Sequence, residues 1–161
     1  MTVTSCILPR VAKERRIDRA ERDPDLGMLA ARLLYPLQEE LFARLAECGH
    51  DQVRPRHGAI LAYLDEAGAT PTELARMSAQ HKQVIGRLLD ELEDLGYVER
   101  RLNPADRRSK LVVLTDRGRD EQAQADRILG EIEARLARKI GEDRYARFRS
   151  LLRDLVGPDP G

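Results

Sequence analysis

The residues best equipped for chemistry cluster between positions 81 and 110. His81, Lys82, Gln83 and Arg87 place a planar amide among cations within two helical turns, and Arg100, Arg101, Arg107, Arg108 and Lys110 follow. These groups suit recognition rather than bond-making. A glutamine amide can pair bidentately with adenine, and a lysine or arginine can meet guanine or a phosphate. On one helix face the same side chains would also serve as ordinary solvated surface, so this segment alone leaves both readings open. The segment that follows weighs toward recognition. From Tyr97 to Lys110 five basic residues stand against two acidic ones, in a chain whose 28 Lys and Arg balance 28 Asp and Glu. A local positive excess in a neutral chain is what contact with phosphates or a narrow, negatively charged groove requires.

These side chains need elements to hold them. Thr70-Pro71-Thr72-Glu73 is a capping-box pattern with proline at the first helical position, so a short helix is expected from Thr70 through Met77. A second helix follows from about Gln80 to Leu95, with Val84, Ile85, Leu88, Leu89, Leu92 and Leu95 at helical spacing and Gly96 as its stop. The second helix is polar at its start and apolar behind, which describes a helix-turn-helix whose readers precede Leu88. Those readers are His81, Lys82, Gln83, Gly86 and Arg87. Gly86 costs a helix about 1 kcal/mol relative to alanine, and close approach to a backbone or base would account for it. The period then changes to two. Residues 97–102 and 110–114 read as strands joined by a turn-forming, arginine-bearing loop, a basic hairpin.

Long amphipathic helices flank this unit. Leu26, Leu29, Leu33, Leu37, Leu41 and Leu45 recur every three or four positions from Pro24 to Cys48, ending at Gly49. Pro55 opens a helix carrying Ile60, Leu61 and Leu64, with Gly68 closing it. Thr115 caps another helix, striped by Ile128 or Leu129, Ile132, Leu136 and Ile140 and broken at Gly141. Tyr145, Phe148, Leu151, Leu152 and Leu155 stripe a last one. The expected fold is mainly α with a small β-hairpin wing: a winged helix-turn-helix lobe at 53–115, a helical dimerisation region at 24–52 and 116–161, and a basic N-terminal arm at 1–23. The outer stripes are too wide for one small lobe to cover. Each buried Leu or Ile contributes about 1.5–3 kcal/mol, so pairing across a two-fold axis to form a homodimer is expected. A monomeric bundle is the alternative.

Other classes find little support. His50, His57 and His81 are the only histidines, and none stands at metal-ligand spacing. No glycine-rich phosphate loop or nucleophile motif occurs, so neither catalysis, a cofactor nor a metal is expected. Cys6 and Cys48 cannot build a disulfide framework, and redox sensing through either is disfavoured. The apolar stretch at Cys6 to Leu8 is broken by Pro9 and Arg10, and no run approaches the roughly 18 apolar residues of a membrane span, so a cytoplasmic protein is expected.

In order along the chain stand Leu74-Ala75, Lys82-Gln83, Leu92-Glu93-Asp94-Leu95-Gly96-Tyr97-Val98-Glu99-Arg100-Arg101, Asp106-Arg107-Arg108-Ser109-Lys110 and Leu114-Thr115-Asp116-Arg117-Gly118. This succession, from about Pro55 to Gly118, resembles the MarR family of bacterial regulators. The resemblance implies a homodimer with intertwined terminal helices and two winged lobes on successive major grooves of double-stranded DNA. It implies that Asp106 braces a wing arginine while Arg108 reaches the minor groove. It further implies a small phenolic or lipophilic effector, for which Arg32, Tyr35, His57 and Tyr63 are candidates; core or interface roles for those residues are the alternative. The sequence departs from the family's pattern at Gln80, where an apolar residue is usual, and at His81, where a Ser or Thr cap is usual. The function expected is a ligand-responsive transcriptional repressor, and the competing expectation is a winged-helix protein-interaction module without DNA binding.

Overall fold

The computed structural model describes residues 21–104 and 109–157. Most of the arm with Cys6, and Asp106, Arg107 and Arg108 of the wing loop, lie outside the described residues. The elements are α1 (Leu26–Glu47), α2 (Pro55–Leu61), α3 (Pro71–Met77), α4 (Lys82–Asp94), β1 (Val98–Leu102), β2 (Lys110–Leu114), α5 (Asp116–Ile140) and α6 (Glu142–Val156). The chain divides into two compact units, residues 1–36 and 37–161. The division falls inside α1 at Pro36, which has no amide to donate to the helix ladder.

Local chemistry sets most boundaries. At α3 the Thr70 hydroxyl accepts from the Glu73 amide while the Glu73 carboxylate accepts from the Thr70 amide at 2.8 Å, a reciprocal box that satisfies two orphan donors. Gly49, Gly96 and Gly141 take positive φ where α1, α4 and α5 end. The helix opened by Pro55 is shorter than its apolar spacing suggests. It stops at Leu61, and Leu64 is buried from the following turn instead. Gly68, at φ +73°, then brings the chain against β2, where Ala69 exchanges two backbone hydrogen bonds with Val112 at 2.9 and 3.0 Å. A side chain at Gly68 would stand 2.5 Å from the Val112 carbonyl oxygen, so only glycine permits this approach. No periodicity announces a bridge of one residue.

Strands β1 and β2 form a two-stranded antiparallel hairpin in which Val98 faces Leu114 and Leu102 faces Lys110. One core lies beneath it: Val53, Ile60, Leu61, Leu64, Leu74, Ile85, Leu88, Leu89, Leu92, Tyr97, Val98, Val112 and Leu114 pack together from α2, α3, α4, both strands and the turns that join them. A second cluster joins Leu41 and Leu45 of α1 to Ile128 and Ile132 of α5. Ion pairs fasten its rim, Arg44 to Glu131 and Arg135 to Glu40. These are exposed pairs, so the apolar contact carries most of the stability. The remaining apolar surface is left open. Leu26, Leu29, Leu33 and Leu34 of α1 and Phe148, Leu151, Leu152, Leu155 and Val156 of α6 are exposed in the single chain, and α6 buries no residue at all.

Candidate nucleic-acid interface

Helices α3 and α4 are joined by a tight turn at Ser78–His81. Ala79 sits at φ +53°, and the Gln80 amide bonds back to the Ala75 carbonyl at 3.0 Å. This closes α3 and aims α4 away from it. Ile85, Leu88, Leu89 and Leu92 anchor α4 in the core, while His81, Lys82, Gln83 and Arg87 face solvent. His81 occupies the N-cap position, and its ring makes no capping hydrogen bond. The Val84 amide bonds to the His81 carbonyl at 2.9 Å, which leaves the amides of Lys82 and Gln83 to water or to a ligand. Gly86 has open space around it, which leaves approach to a base as the reading. A side chain there would meet nothing within 4 Å, so no close approach within the chain explains the glycine.

The hairpin also revises the charge count. Arg100 is not a free cation of the wing. Its guanidinium bonds to the Glu93 carboxylate and, at 2.6 Å, to Asp90, and its own amide donates to Glu93 at 3.1 Å. Burial opposes charge on Arg100, yet these carboxylates more than offset it and hold its pKa above the ordinary value. Arg101 is paired with Glu99 on the opposite face of β1. Among the described residues, Arg100 and Arg101 of the hairpin thus have carboxylate partners, a fact invisible in a linear count. The base of the loop is closed by Asn103, whose amide nitrogen donates to the Ser109 hydroxyl at 3.0 Å.

The lobe is tied to α5 by a compact joint. Thr115 caps α5 by accepting from the Gly118 amide at 3.1 Å, and its hydroxyl lies 2.6 Å from the Gly96 carbonyl. Arg117 donates to the Leu95 carbonyl at 2.8 Å and lies over the Tyr97 ring, 4.5 Å from its centroid. Behind the ring is buried His50. Asp120 can only accept, so His50 Nε2 donates to it at 3.2 Å, and Nδ1 is hydrogen-bonded to the Tyr97 hydroxyl at 3.1 Å. Glu121 lies on the same joint and is only 3% exposed. Burial, with a smaller contribution from Asp126, pushes its carboxyl up to about 7.

This arrangement of two crossed helices, an antiparallel hairpin and a capped helix returning from it has clear relatives. A profile of the MarR family matches residues 51–109, the segment that carries α2, the helix-turn-helix and the wing. The chain belongs to the MarR family. Among curated relatives, the transcriptional repressor Rv2887 of Mycobacterium tuberculosis is 28% identical over 133 residues, 83% of this chain and 94% of the relative. The regulator PetP of Rhodobacter capsulatus is 33% identical over 112 residues, 68% of this chain and 66% of PetP. The repressor CouR bound to a 23-mer DNA duplex matches with a TM-score of 0.71 at 28% identity, over 89% of this chain and 99% of CouR. CouR of Rhodococcus jostii is also known bound to p-coumaroyl-CoA, and Rv2887 in complex with salicylic acid.

Within this MarR fold the four effector candidates are placed as follows. Arg32 and Tyr35 lie on the exposed first half of α1, in the unit of residues 1–36. Tyr63 lies in the turn after α2 and is half exposed. His57 is buried, with both ring nitrogens engaged: Nε2 donates to Glu91 at 3.0 Å and Nδ1 accepts from the Arg54 amide at 3.2 Å. Its ring fastens α2 to α4, which is work for a core histidine. Cys48 is exposed and 3.8 Å from an Arg127 guanidinium nitrogen. No helix among the described residues is long and apolar enough to cross a membrane, and no metal-binding group of His, Cys, Asp or Glu occurs among them.

Proposed function

We propose that this chain is a cytoplasmic, homodimeric transcriptional repressor that reads a two-fold-symmetric DNA operator and releases it on binding a small acidic aromatic or lipophilic ligand. The observation that carries this reading is the start of α4. His81, Lys82, Gln83 and Arg87 project into solvent from a helix whose opposite face is locked in the core. A helix held from behind and open at its N-terminal turn is built to enter a major groove. Gly86 completes that face. Arg108 acts from the wing in the adjacent minor groove and Arg107 also contacts DNA, with Asp106 bracing a wing arginine. Because Arg100 and Arg101 have internal partners, the loop arginines and Lys110 carry the wing's contribution to affinity.

The dimer is formed by residues 24–52 and 116–161, which would cover the leucines of α1 and the apolar face of α6 that the single chain leaves exposed. Residues 53–115 form the reading lobe. The ligand class rests on the aromatic acid and acyl thioester named for Rv2887 and CouR, with Arg32, Tyr35 and Tyr63 as contacts. His57 would shape that site through Glu91 rather than touch the ligand.

The test is selection of bound duplexes from a random pool, repeated with salicylate and with p-coumaroyl-CoA, alongside light scattering of the free protein. A palindrome with half-sites about one helical turn apart, bound by a dimer, is the expected result. Recovery of no motif would favour a protein-interaction module. A motif insensitive to both compounds would remove the ligand class and leave the reader in place.

A further inference from the structure

Gln83, Gly86, Asp90 and Glu93 succeed one another on α4 at helical spacing and form one stripe. Its first turn carries a DNA reader, and its later turns carry two carboxylates that would repel phosphates if left open. Arg100 lies along these later turns. Its backbone amide and guanidinium both bond to Glu93, Nη2 bonds to Asp90 at 2.6 Å, and the same nitrogen stands 3.5 Å from the Gly86 carbonyl. The side chain is only 20% exposed. Arg100 is also the middle residue of β1, paired with Val112 of β2. One side chain thus couples the wing to three successive turns of the reading helix.

We infer that Arg100 is a positioning residue, setting the angle between α4 and the wing so that the two meet adjacent grooves in register. The inference rests on the DNA-reading role proposed above. Arg100 acts on DNA through the elements it holds. The planar fork is what the position needs, since a guanidinium can satisfy two carboxylates in fixed directions and an ammonium cannot. Val98 is the last buried apolar residue on this face of β1, since Leu102 at its end is exposed, and beyond Val98 Arg100 alone of the strand's residues reaches α4 by hydrogen bonds among the described residues.

A positioning role and a purely neutralising one predict different outcomes. Affinity for the selected operator and for a random-sequence duplex is measured by fluorescence anisotropy over a salt series. The proteins are wild type, Arg100→Gln, Arg100→Lys, and a triple variant combining Arg100→Gln with Asp90→Asn and Glu93→Gln. Positioning predicts that Arg100→Gln loses operator affinity by about tenfold or more while affinity for random DNA stays within about threefold. The triple variant removes the carboxylates with the cation and still fails to recover the preference. Hydrogen exchange at residues 98–102 and 110–114 quickens in both.

Recovery of operator preference in the triple variant would reduce Arg100 to charge neutralisation and overturn the inference. An unchanged ratio of operator to random affinity in folded Arg100→Gln would overturn it too. If Arg100→Gln does not fold, Arg100→Lys decides the matter. It keeps the charge but loses the fork, so it should lose operator preference, and full retention refutes the role. A wild-type protein that prefers no duplex refutes the DNA-reading function itself, and this inference with it. A wild-type preference that survives Arg100→Gln refutes the positioning role alone.

Discussion

Replacing Glu121 by glutamine should make the protein more stable in neutral and alkaline solution, and the gain should fade on acidification. Glu121 is buried at the joint between lobe and α5, with its carboxyl pushed from 4.5 to about 7, first by burial and then by Asp126. Its pKa is raised on folding, so the folded state binds its proton more tightly than the unfolded chain does. The resulting stabilisation is whole below pH 4.5 and is lost as pH rises through about 7. Each tenfold difference in proton affinity between the folded and unfolded chain is worth about 1.36 kcal/mol. At pH 8 the ionised group therefore costs the fold about 3 kcal/mol, and at pH 5.5 only about 1 kcal/mol. Glutamine has nearly the same shape and no charge, so it should show no such dependence at this site. Urea unfolding of both proteins at fixed concentration, from pH 5.5 to 8, gives the difference directly, and holding concentration constant keeps dimerisation out of the comparison. The neighbouring His50, Asp120, Asp126 and Arg117 are common to both proteins and largely cancel. The advantage of Glu121→Gln should shrink by about 2 kcal/mol between pH 8 and 5.5. A constant difference across that range would show that the Glu121 side chain is hydrated or paired in solution, and the reasoning from burial would fail.

Other substitutions probe the backbone and the interface. In Gly118→Ala the new methyl would stand 2.1 Å from the Tyr97 carbonyl oxygen, so the joint must open; a loss of about 3 kcal/mol or more is expected in urea unfolding. Ala79→Gly relieves the positive φ of the turn before α4 and should raise stability by about 1 kcal/mol, read as a higher unfolding midpoint. Gly86→Ala meets open space within the chain, so it should stabilise the helix by about 0.5–1 kcal/mol while weakening operator binding measured by anisotropy. Arg108→Ala should lower the slope of log affinity against log salt by about one, as loss of a single phosphate contact does.

What can be read in the sequence is local. Thr70 with Glu73, Thr115 with Gly118, and the glycines at 49, 96 and 141 each act within a few residues of themselves, so spacing alone reveals the ends of α1, α3, α4 and α5. What escapes is tertiary. Helix α2 stops at Leu61 because Leu64 reaches the core from a turn, and apolar spacing does not distinguish the two. The bridge of Ala69 to Val112 depends on a partner more than forty positions away. Arg100 counts as wing charge in a linear reading because its carboxylates lie in another element, seven and ten residues earlier. Glu121 is legible in principle. Gly118, Glu121, Ala125, Ile128 and Ile132 follow the stripe of α5 in phase, and a charged residue on a core stripe marks burial.

These placements explain why the least conventional part of the lobe can sit at its reading edge. Helix α4 is secured at its C-terminal end by Arg117 on the Leu95 carbonyl, and along its flank by Arg100 and His57. Its core face is filled by Ile85, Leu88, Leu89 and Leu92. A side-chain cap at the N-terminus contributes about 1 kcal/mol in ordinary helices, and a helix fixed at so many other points keeps its shape without one. With His81 making no side-chain cap, the amides of Lys82 and Gln83 are not capped, while that of Val84 bonds to the His81 carbonyl. Phosphate oxygens can satisfy such amides when the turn meets DNA. The weak cap is then a feature of the bound state. Replacing His81 by serine should stabilise the free protein and leave operator affinity unimproved, because the new hydroxyl takes a donor that the phosphate would otherwise use.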